Sequence, residues 1–368
     1  MKWNWQKKDW PDFKYDTSLL EKYEDEFLHK SGIFLGTLKH IQNEEKIDLK
    51  IDIICEEAYR TSLIEGEFLN RESIQSSIKR NFGISVINIK KIPNAEAGLA
   101  EMMLDLYNNF SHPISKKSLG KWNSLILDGI NSKIKTRSFR KDTEPMQVIS
   151  GSVYRPKIHF EAPPSETLET EMKNFIQWFN NSKPNNKHAL KTLTRAGLAH
   201  LYFVCIHPFD DGNGRIARAL AEKALSQGLG EASLISLSQV IEKHRKQYYA
   251  MLDASNRDLE VTDWLEYFSK TALEALELSQ KSIEFSLKKG ECYRLYENRL
   301  NLRQEKVISR IFKEGIQGFK GGLSAENYIS ITKTSRATAT RDLQELIEIG
   351  ILVKTGNLKG TRYYLSLE

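Results

Sequence analysis

A polar, glycine-containing stretch between two apolar runs is the feature that most constrains this chain. Residues 207–218 read HPFDDGNGRIAR. The runs 190–206 before it and 215–227 after it have the apolar spacing of helices, so the stretch predicts a loop whose end opens a second helix. The free N–H groups at a helix N-terminus and the positive end of the helix dipole attract anions. The stretch therefore predicts a phosphate-binding site.

Four residues of this loop fit the binding of several phosphate groups. Gly212 and Gly214 lack side chains, so the backbone there can approach a bulky anion closely. Arg215 and Arg218 are three residues apart, which places both on one face of the second helix, where their forked guanidinium groups can hold phosphate oxygens. A single Gly-x-Gly loop is often only a turn, whereas six functional side chains in a fixed order favour a ligand site.

Two further side chains of the loop add metal and acid–base chemistry. Asp211 can hold a hard cation such as Mg²⁺ between phosphates. His207 can take a proton from an attacking group near neutral pH. A histidine on its own is more often a surface or core residue than a base, so its role here depends on its place beside the phosphate loop.

The loop fills every specified position of the pattern His-x-Phe-x-Asp/Glu-Gly-Asn-Gly-Arg-x-x-Arg, and over about residues 95–265 the chain resembles the Fic-domain proteins. The resemblance implies a mainly α fold, with a Fic-type helical core and a β-hairpin flap. It also implies AMPylation, in which AMP passes from ATP to a Ser, Thr or Tyr hydroxyl of a target protein or of the chain itself, and pyrophosphate is released. Family members that transfer other groups usually differ around the second glycine and in the arginines, which this loop retains.

The resemblance also implies a role for each residue of the loop. His207 would be the general base that activates the target hydroxyl, and Asp211 would bind Mg²⁺ between the α- and β-phosphates. The implied phosphate ligands are Asn213 and the N–H groups of residues 212–215, Arg215 for the β-phosphate and Arg218 for the γ-phosphate.

An upstream segment resembles the inhibitory motif of the same family. Residues 61–66 read TSLIEG and match the pattern Ser/Thr-x-x-x-Glu-Gly/Asn, on the N-terminal side of the core. The resemblance implies that Glu65 pairs with Arg218 and occupies the place of the γ-phosphate. ATP would then bind with its α-phosphate out of line with the attacking hydroxyl, and a displacement of about 1 Å can cost about 100-fold in rate. A threonine and a glutamate four residues apart are common on helices, so the motif gains its weight from the loop.

Two other segments resemble substrate-binding parts of the family. Residues 248–256 read YYAMLDASN and are similar to the adenine-side segment, which implies that Tyr249 and Asn256 contact the base. The alternative is that Tyr248 and Tyr249 only pack against neighbouring helices. The β-branched residues of 146–160, around a Gly-Ser turn, predict a hairpin where the family has its flap, and the target's hydroxyl-bearing segment would pair with its strand edge.

The chain divides by pattern into three regions. We predict an N-terminal helical region with the inhibitory helix at 1–94, a catalytic core at 95–290 and a winged helix-turn-helix at 291–368. The last region reads as helix, helix, turn, helix and hairpin. Residues 298–368 carry twelve basic and seven acidic residues, out of a net charge of +6 for the chain. The segment 324–362 therefore predicts DNA binding, although winged helices also serve as protein-contact and dimerisation modules.

Composition bounds the remaining possibilities. The sequence has no apolar run long enough to span a membrane and no apolar leader, so we expect a cytoplasmic protein without membrane contact. Its three cysteines are far apart and predict small core residues rather than a disulfide or a metal site. Several aromatic residues within 1–20 predict a segment docked against the body or against a second subunit, which leaves a homodimer open.

Two alternative functions remain open from the sequence. In the first, the chain is a DNA-binding regulator whose Fic core senses nucleotide or is inactive, although the complete loop argues against an inactive core. In the second, Glu65 positions a water molecule and the same site removes AMP from a modified protein.

Overall fold

A computed structural model describes residues 2–41, 43–85, 92–127, 136–152, 155–296, 299–315, 318–319 and 321–366. They fall into two compact units, one of Met1–Lys39 and Lys50–Ser279, the other of His40–Leu49 and Gln280–Glu368. Most of the predicted N-terminal region therefore folds in the same unit as the predicted catalytic core. The predicted boundary near residue 290 lies inside a continuous helix.

The first third of the chain forms five helices: α1 (Thr17–His40), α2 (Asn43–Ile64), α3 (Arg71–Asn81), α4 (Asn94–Asn108) and α5 (Lys116–Leu127). The apolar spacing of the sequence predicts helical segments over 17–41, 49–62, 96–109 and 118–130, and α1, α2, α4 and α5 confirm them. The predicted end of α5 at residues 128–130 lies outside the described residues. Helix α3 was not predicted, because Ile74 and Ile78 are its only buried apolar residues and give a weak periodic pattern.

The predicted hairpin consists of β1 (Gln147–Ser152) and β2 (Arg155–Glu161), paired antiparallel. The predicted Gly-Ser turn is wrong by two residues, since Gly151 pairs with Pro156 and Ser152 with Arg155. Gly151 takes a φ of 93° within the ladder, which glycine tolerates without strain. Residues 153–154, which separate Ser152 from Arg155 in the sequence, lie outside the described residues.

Three helices bring the central loop into place: α6 (Leu168–Asn181), α7 (Thr192–Ile206) and α8 (Asn213–Leu229). Every residue of α7 except Val204 is buried, and α7 packs along α8. Helix α8 begins at Asn213, two residues before the predicted start, and it passes the predicted stop at Gly228. A side chain at Gly228 would place its Cβ 2.4 Å from Cγ2 of Thr192, so this glycine permits close packing inside the helix.

The first unit continues with α9 (Leu237–Lys243), α10 (Arg245–Ser255) and the first half of α11 (Thr262–Tyr296). The apolar spacing over 234–254 predicts a single helix, and this prediction is wrong, because the chain leaves helical geometry at His244. The N-terminal segment is docked on the body of this unit, as one of the two predicted alternatives had it. Trp5 Nε1 donates to the Glu161 carbonyl at 2.7 Å, and the Asn4 N–H donates to the Asn256 carbonyl at 2.8 Å.

The second unit contains α12 (Leu302–Lys313), α13 (Ala325–Thr332), α14 (Arg336–Glu348), β3 (Leu352–Thr355) and β4 (Arg362–Leu365). The strands pair antiparallel, and the element order is the predicted one. Ser324 and Ser335 cap α13 and α14 through hydrogen bonds from Asn327 and Thr338 N–H groups. Assignment of this unit as a winged helix-turn-helix stays a prediction.

Two expectations concern the whole chain. Across the described residues, no helix combines the length and apolar character needed to cross a bilayer. Cys55 and Cys205 are buried, as predicted for core residues, whereas Cys292 is half-buried.

Candidate active site

His207 is the first residue after α7, and its backbone is left-handed, with φ 51° and ψ 59°. Its N–H closes the helix by donating to the Phe203 carbonyl at 3.0 Å. The imidazole Nδ1 lies 3.3 Å from the Val204 carbonyl. A proton on Nδ1 that bonds this carbonyl leaves Nε2 free to accept a proton. The half-buried imidazole therefore has an orientation that suits a base, and the catalytic role of His207 stays a prediction.

Arg140 holds the same residue from outside the motif. Its Nε donates to the His207 carbonyl at 2.9 Å, and one Nη donates to the Pro163 carbonyl. Its backbone N–H donates to the Pro208 carbonyl at 2.9 Å. Arg140 is only 5% exposed, and no motif in the sequence pointed to it.

The surroundings of His207 keep its imidazole neutral. Burial lowers its pKa to about 4, and the positive charge of Arg140 acts in the same direction. The Val204 carbonyl and the negative charges of Glu65 and Asp211 act in the opposite direction. Because the lowered value lies well below neutral pH, the side chain is in its proton-accepting form at pH 7.

Phe209 and Asn213 fix the shape of the loop between α7 and α8. Phe209 is fully buried, and its N–H donates to the Asn213 Oδ1 at 3.0 Å. Asn213 Nδ2 donates back to the Phe209 carbonyl at 2.8 Å. Both the oxygen and the nitrogen of the Asn213 amide therefore bond the main chain of Phe209. This arrangement differs from the one expected for a side chain that binds phosphate.

The start of α8 offers free backbone donors. Gly212 caps the helix with φ 84°, and the first bond along the helix runs from the Ile216 N–H to the Gly212 carbonyl at 3.1 Å. The N–H groups of residues 213–215 consequently have no partner within the helix. These donors and the positive end of the helix dipole lie where the sequence predicts an anion site, and the binding of an anion there stays a prediction.

Arg218 is 1% exposed and is bound by the end of α2. Its Nη2 donates to the Glu65 Oε1 at 2.7 Å and to the Thr61 carbonyl at 2.9 Å, while its Nε donates to the Thr61 Oγ1 at 2.7 Å. Burial acts to lower the pKa of Arg218, but the charge and hydrogen bond of Glu65, together with Tyr248 and Tyr249, raise it. The structure therefore brings together the two residues that the inhibitory motif connected.

Arg215 has a carboxylate partner that the sequence reasoning missed. Its Nη1 donates to the Glu67 Oε2 at 2.5 Å, and Arg215 is also 1% exposed. Burial and the neighbouring negative charge of Asp211 raise the pKa of Glu67, against the opposing effect of Arg215. Within the described residues, Nε of Arg215 and Nη1 of Arg218 are buried without a hydrogen-bond partner.

The turn at the end of α2 delivers both carboxylates. The Gly66 N–H donates to the Leu63 carbonyl and the Glu67 N–H to the Ser62 carbonyl, both at 3.0 Å, which is the Schellman arrangement. Gly66 has a φ of 84°, the left-handed geometry that this helix end requires. The turn therefore directs both carboxylates towards α8. Glu65 contacts Arg218, and Glu67 contacts Arg215.

Glu65 lies directly over the first turn of α8. A Cβ added to Gly214 would be 2.3 Å from the Glu65 Oε1 and 3.3 Å from Nη1 of Arg218. The space that glycine leaves open at the helix start is thus filled by a carboxylate. This carboxylate occupies the kind of position that a phosphate oxygen would take above the free N–H groups.

Asp211 is placed at the open side of the loop. Its side chain is 51% exposed, its Oδ1 accepts the Gly212 N–H at 2.5 Å, and Arg215 Nη2 lies 3.9 Å away. In the described ranges no group of three or more metal-ligating side chains occurs. Mg²⁺ commonly binds through one or two carboxylates, phosphate oxygens and water, so a single exposed carboxylate fits that ion in a nucleotide complex.

Of the two residues expected near adenine, Tyr249 lies on α10 and Asn256 directly follows this helix. Tyr249 is 41% exposed, and its hydroxyl donates to the Ile64 carbonyl at 3.2 Å, at the end of the inhibitory helix. Tyr248 is buried beside His200, which fits the packing alternative for that residue. Asn256 is 4% exposed and its Oδ1 lies 3.6 Å from Cys205 Sγ. Adenine contact by Tyr249 and Asn256 stays a prediction.

Comparison with known proteins bears on these features. Residues 113–225 match the Fic/DOC family, and residues 3–84 match a domain of unknown function, DUF4172. The chain is 23% identical over 201 residues to protein adenylyltransferase fic-1 of Caenorhabditis briggsae, covering 54% of this chain and 36% of that protein. It is 40% identical over 85 residues to a uridine 5'-monophosphate transferase of Xanthomonas campestris, covering 21% of this chain and 16% of that protein.

The fold also has a solved counterpart. A Fic family protein from Desulfovibrio desulfuricans superposes with a TM-score of 0.53 at 17% identity, over 96% of this chain and 98% of that chain. The identity is low, so the likeness concerns the fold alone. The chain spans little more than a third of the first of the two curated relatives and a smaller share of the second.

Proposed function

We propose that the chain, whose residues 113–225 match the Fic/DOC family, is a self-inhibited protein adenylyltransferase. It transfers AMP from ATP to a Ser, Thr or Tyr hydroxyl of a target protein or of itself, and it releases pyrophosphate. The observation that carries this proposal is the pair of buried arginines, Arg215 and Arg218, beside the free N–H groups that begin α8. Each arginine is paired with a carboxylate, the protein group that most resembles a phosphate oxygen in charge and hydrogen bonding.

The residues of the site divide the reaction between them. His207 accepts the proton of the target hydroxyl, whose oxygen then forms a bond to the α-phosphorus of ATP. The bond from that phosphorus to the bridging oxygen breaks, and pyrophosphate carries the electron pair away. The N–H groups of residues 213–215 stabilise the negative charge that develops on the phosphate oxygens. Asp211 would hold Mg²⁺, which would neutralise charge on the phosphates.

Inhibition follows from competition for the two arginines. Glu65 occupies Arg218, the partner proposed for the γ-phosphate, and Glu67 occupies Arg215, the partner proposed for the β-phosphate. ATP must displace these carboxylates before its triphosphate can take the productive position. A charge-assisted hydrogen bond contributes about 1.5–3 kcal/mol. Two such bonds are strong enough to keep the carboxylates on the arginines and weak enough for ATP to displace them.

The direct test uses ATP labelled on the α-phosphate. Glu65→Gly is expected to label protein strongly, and the same chain with His207→Ala should lose the label. Glu72→Gly, which removes an exposed glutamate from the nearby α3, is the matched control and should behave like the parent. Equal labelling by all four proteins would overturn the mechanism. Parallel reactions with labelled UTP determine whether the base is adenine, since one relative is named for uridine monophosphate transfer.

The same experiment separates transfer from the reverse activity. If Glu65 instead orients water, the parent will release AMP from a modified protein, and Glu65→Gly will not. Mass spectrometry of lysate proteins after incubation with Glu65→Gly and labelled ATP then identifies the modified hydroxyl.

A second candidate function, DNA binding, concerns the other unit. Arg336 and Arg341 are exposed on α14, and exposed Lys333 lies in the turn before it, with φ 58°. Cations at the start of a helix that follows a tight turn suit contact with a nucleic-acid backbone. The test is binding of duplex DNA at several salt concentrations, where Arg336→Ala and Arg341→Ala should each reduce the salt dependence. Lys306→Ala, at an exposed position of α12, is the control, and binding that no variant alters would refute this role.

A further inference from the structure

We propose that Arg140 is a positioning residue. It fixes the position of His207, the general base, relative to the hairpin that receives the target protein. The inference rests on the proposed function. Arg140 lies outside the sequence motif, in the stretch between α5 and β1. Its guanidinium group bonds the main chain on two sides, at the residue that bears the base and at the segment that follows the hairpin.

We call the contacts of Arg140 with these two main-chain segments the clamp. Its first contact is with the loop that carries the general base, His207. Arg140 Nε donates to the His207 carbonyl at 2.9 Å, and the Arg140 N–H donates to the Pro208 carbonyl at 2.9 Å. His207 has a left-handed backbone, which is unfavourable for a residue with a side chain and persists only where the surroundings hold it. A bond to its carbonyl holds the peptide plane that follows His207, and with it the direction of the imidazole.

The second contact of the clamp is with the segment that follows the hairpin, next to the closed end of β1 and β2. A second arm of the guanidinium donates to the carbonyl of Pro163, two residues after β2. The Ala162 N–H donates to the Met146 carbonyl at 2.9 Å, which closes the two strands at that end. One planar group therefore connects the closed end of the hairpin to the residue that must accept the hydroxyl proton. A target segment paired with the hairpin is placed relative to His207 through this group.

The chemistry of this contact selects arginine. A guanidinium group has donors in a fixed planar fork and can bond two carbonyl oxygens at once, whereas an ammonium group is a compact point charge on a flexible stem. Arg140 is buried, which is costly for a cation, and both of its described side-chain acceptors are carbonyl groups. The arrangement therefore suits a positioning role at the base of the hairpin.

The test measures AMP transfer in the Glu65→Gly chain with Arg140→Met or Arg140→Lys. Arg140→Met is expected to lower kcat about 100-fold, as displacement of a reacting group by about 1 Å does, while KM for ATP changes less than about twofold. The kcat of the Arg140→Lys chain should reach at least about a tenth of the kcat of the chain with Arg140 intact. Lysine restores the positive charge and one of the two hydrogen bonds. Lys141→Met, at the exposed neighbour, is the control and should match the unsubstituted chain.

A readout independent of transfer separates failure of this inference from failure of the proposed function. Histidine NMR titration follows His207, assigned by comparison with His207→Ala. Arg140, Glu65 and Asp211 are the charged groups that act on it. Arg140→Met should raise the pKa of His207 because a positive charge is removed, and Arg140→Lys should leave it near the parent value.

The outcomes are distinct. A kcat that Arg140→Met leaves unchanged, or an equal loss of kcat and ATP affinity in a chain with an unchanged thermal melt, overturns the positioning role. If Arg140→Met does not fold, Arg140→Lys decides: kcat must fall while KM for ATP holds. A Glu65→Gly chain that transfers no AMP while Arg140 is intact refutes the proposed function instead, and the titration still tests the clamp.

Discussion

Glu67 Oε2 lies 2.5 Å from Nη1 of Arg215, two residues beyond the glutamate that binds Arg218. One Schellman turn at the end of α2 thus supplies a carboxylate to each arginine of the loop. An inhibitory segment with Glu65 alone would leave Arg215 available to the β-phosphate. Under the proposed function, Glu67 and Glu65 therefore oppose entry of the triphosphate at two points.

The first prediction concerns nucleotide affinity. Glu67→Gln should raise the affinity for a non-hydrolysable ATP analogue about tenfold, because a charge-assisted contact that competes with the β-phosphate becomes a neutral one. Calorimetric titration measures the change. AMP lacks the β- and γ-phosphates and is the control ligand, so its affinity should stay constant. A parallel rise in AMP affinity would contradict the assignment of Glu67 to the β-phosphate position.

The second prediction concerns the close contact between Gly214 and Glu65. A methyl group at residue 214 would lie 2.3 Å from the Glu65 Oε1 and would push this carboxylate away from Arg218. Because the displacement breaks a charge-assisted hydrogen bond, Gly214→Ala should destabilise the parent by about 1–3 kcal/mol. In the Glu65→Gly chain the clashing carboxylate is gone, and Gly214→Ala should cost much less. Chemical unfolding of the four proteins completes a double-mutant cycle. Strictly additive free energies would show that Glu65 does not lie over the start of α8.

The loop and its flanking helices were predictable because their signals are local. Apolar spacing marks α7 and α8, and the residues between them are consecutive in the sequence. The pairing of Glu65 with Arg218 joins residues 153 positions apart, and only the family resemblance indicated it. The inhibitory segment could thus be placed by motif but not by periodicity.

Other parts of the site could not be predicted, because they depend on tertiary contacts. Glu67 and Arg215 are 148 positions apart, and Arg140 reaches His207 across 67 positions, without a local pattern in either case. The bonds of Asn213 to Phe209 are set by the shape of the loop, which a list of residue types does not contain. The left-handed backbone of His207 could not be predicted either, because the contact with Arg140 that holds it comes from a distant part of the sequence.

The third prediction concerns pH. Burial and Arg140 lower the pKa of His207 to about 4, and the base works only when neutral. The kcat/KM of the Glu65→Gly chain should therefore stay constant from about pH 8 down to about pH 6. Loss of the negative charge of Glu65 lowers the pKa further and strengthens this expectation. A histidine with its ordinary pKa of about 6.5 would instead lose about three quarters of its activity at about pH 6, and such a limb would contradict the lowered value.

The fourth prediction concerns the stability of the second unit. Asp342 is 1% exposed and accepts hydrogen bonds from Arg303 Nε at 2.7 Å and from the Tyr328 hydroxyl at 2.9 Å. The Arg303 bond is the main cause that lowers the pKa of Asp342, against the opposing effect of burial. A carboxyl whose pKa is lowered on folding contributes stability above its unfolded pKa of about 3.9, and that contribution disappears as the pH falls through the folded value.

Asp342→Asn should therefore speed amide hydrogen exchange of residues 302–348 in the full chain at about pH 7, where the parent carboxyl is charged in both states. The difference from the parent should narrow as the pH falls towards about 4 and below, because protonation begins to remove the same contribution from the parent. Glu348→Gln, at the exposed end of α14, is the matched control and should leave exchange unchanged. A difference that stays constant across this pH range would show that shape rather than charge makes Asp342 stabilising.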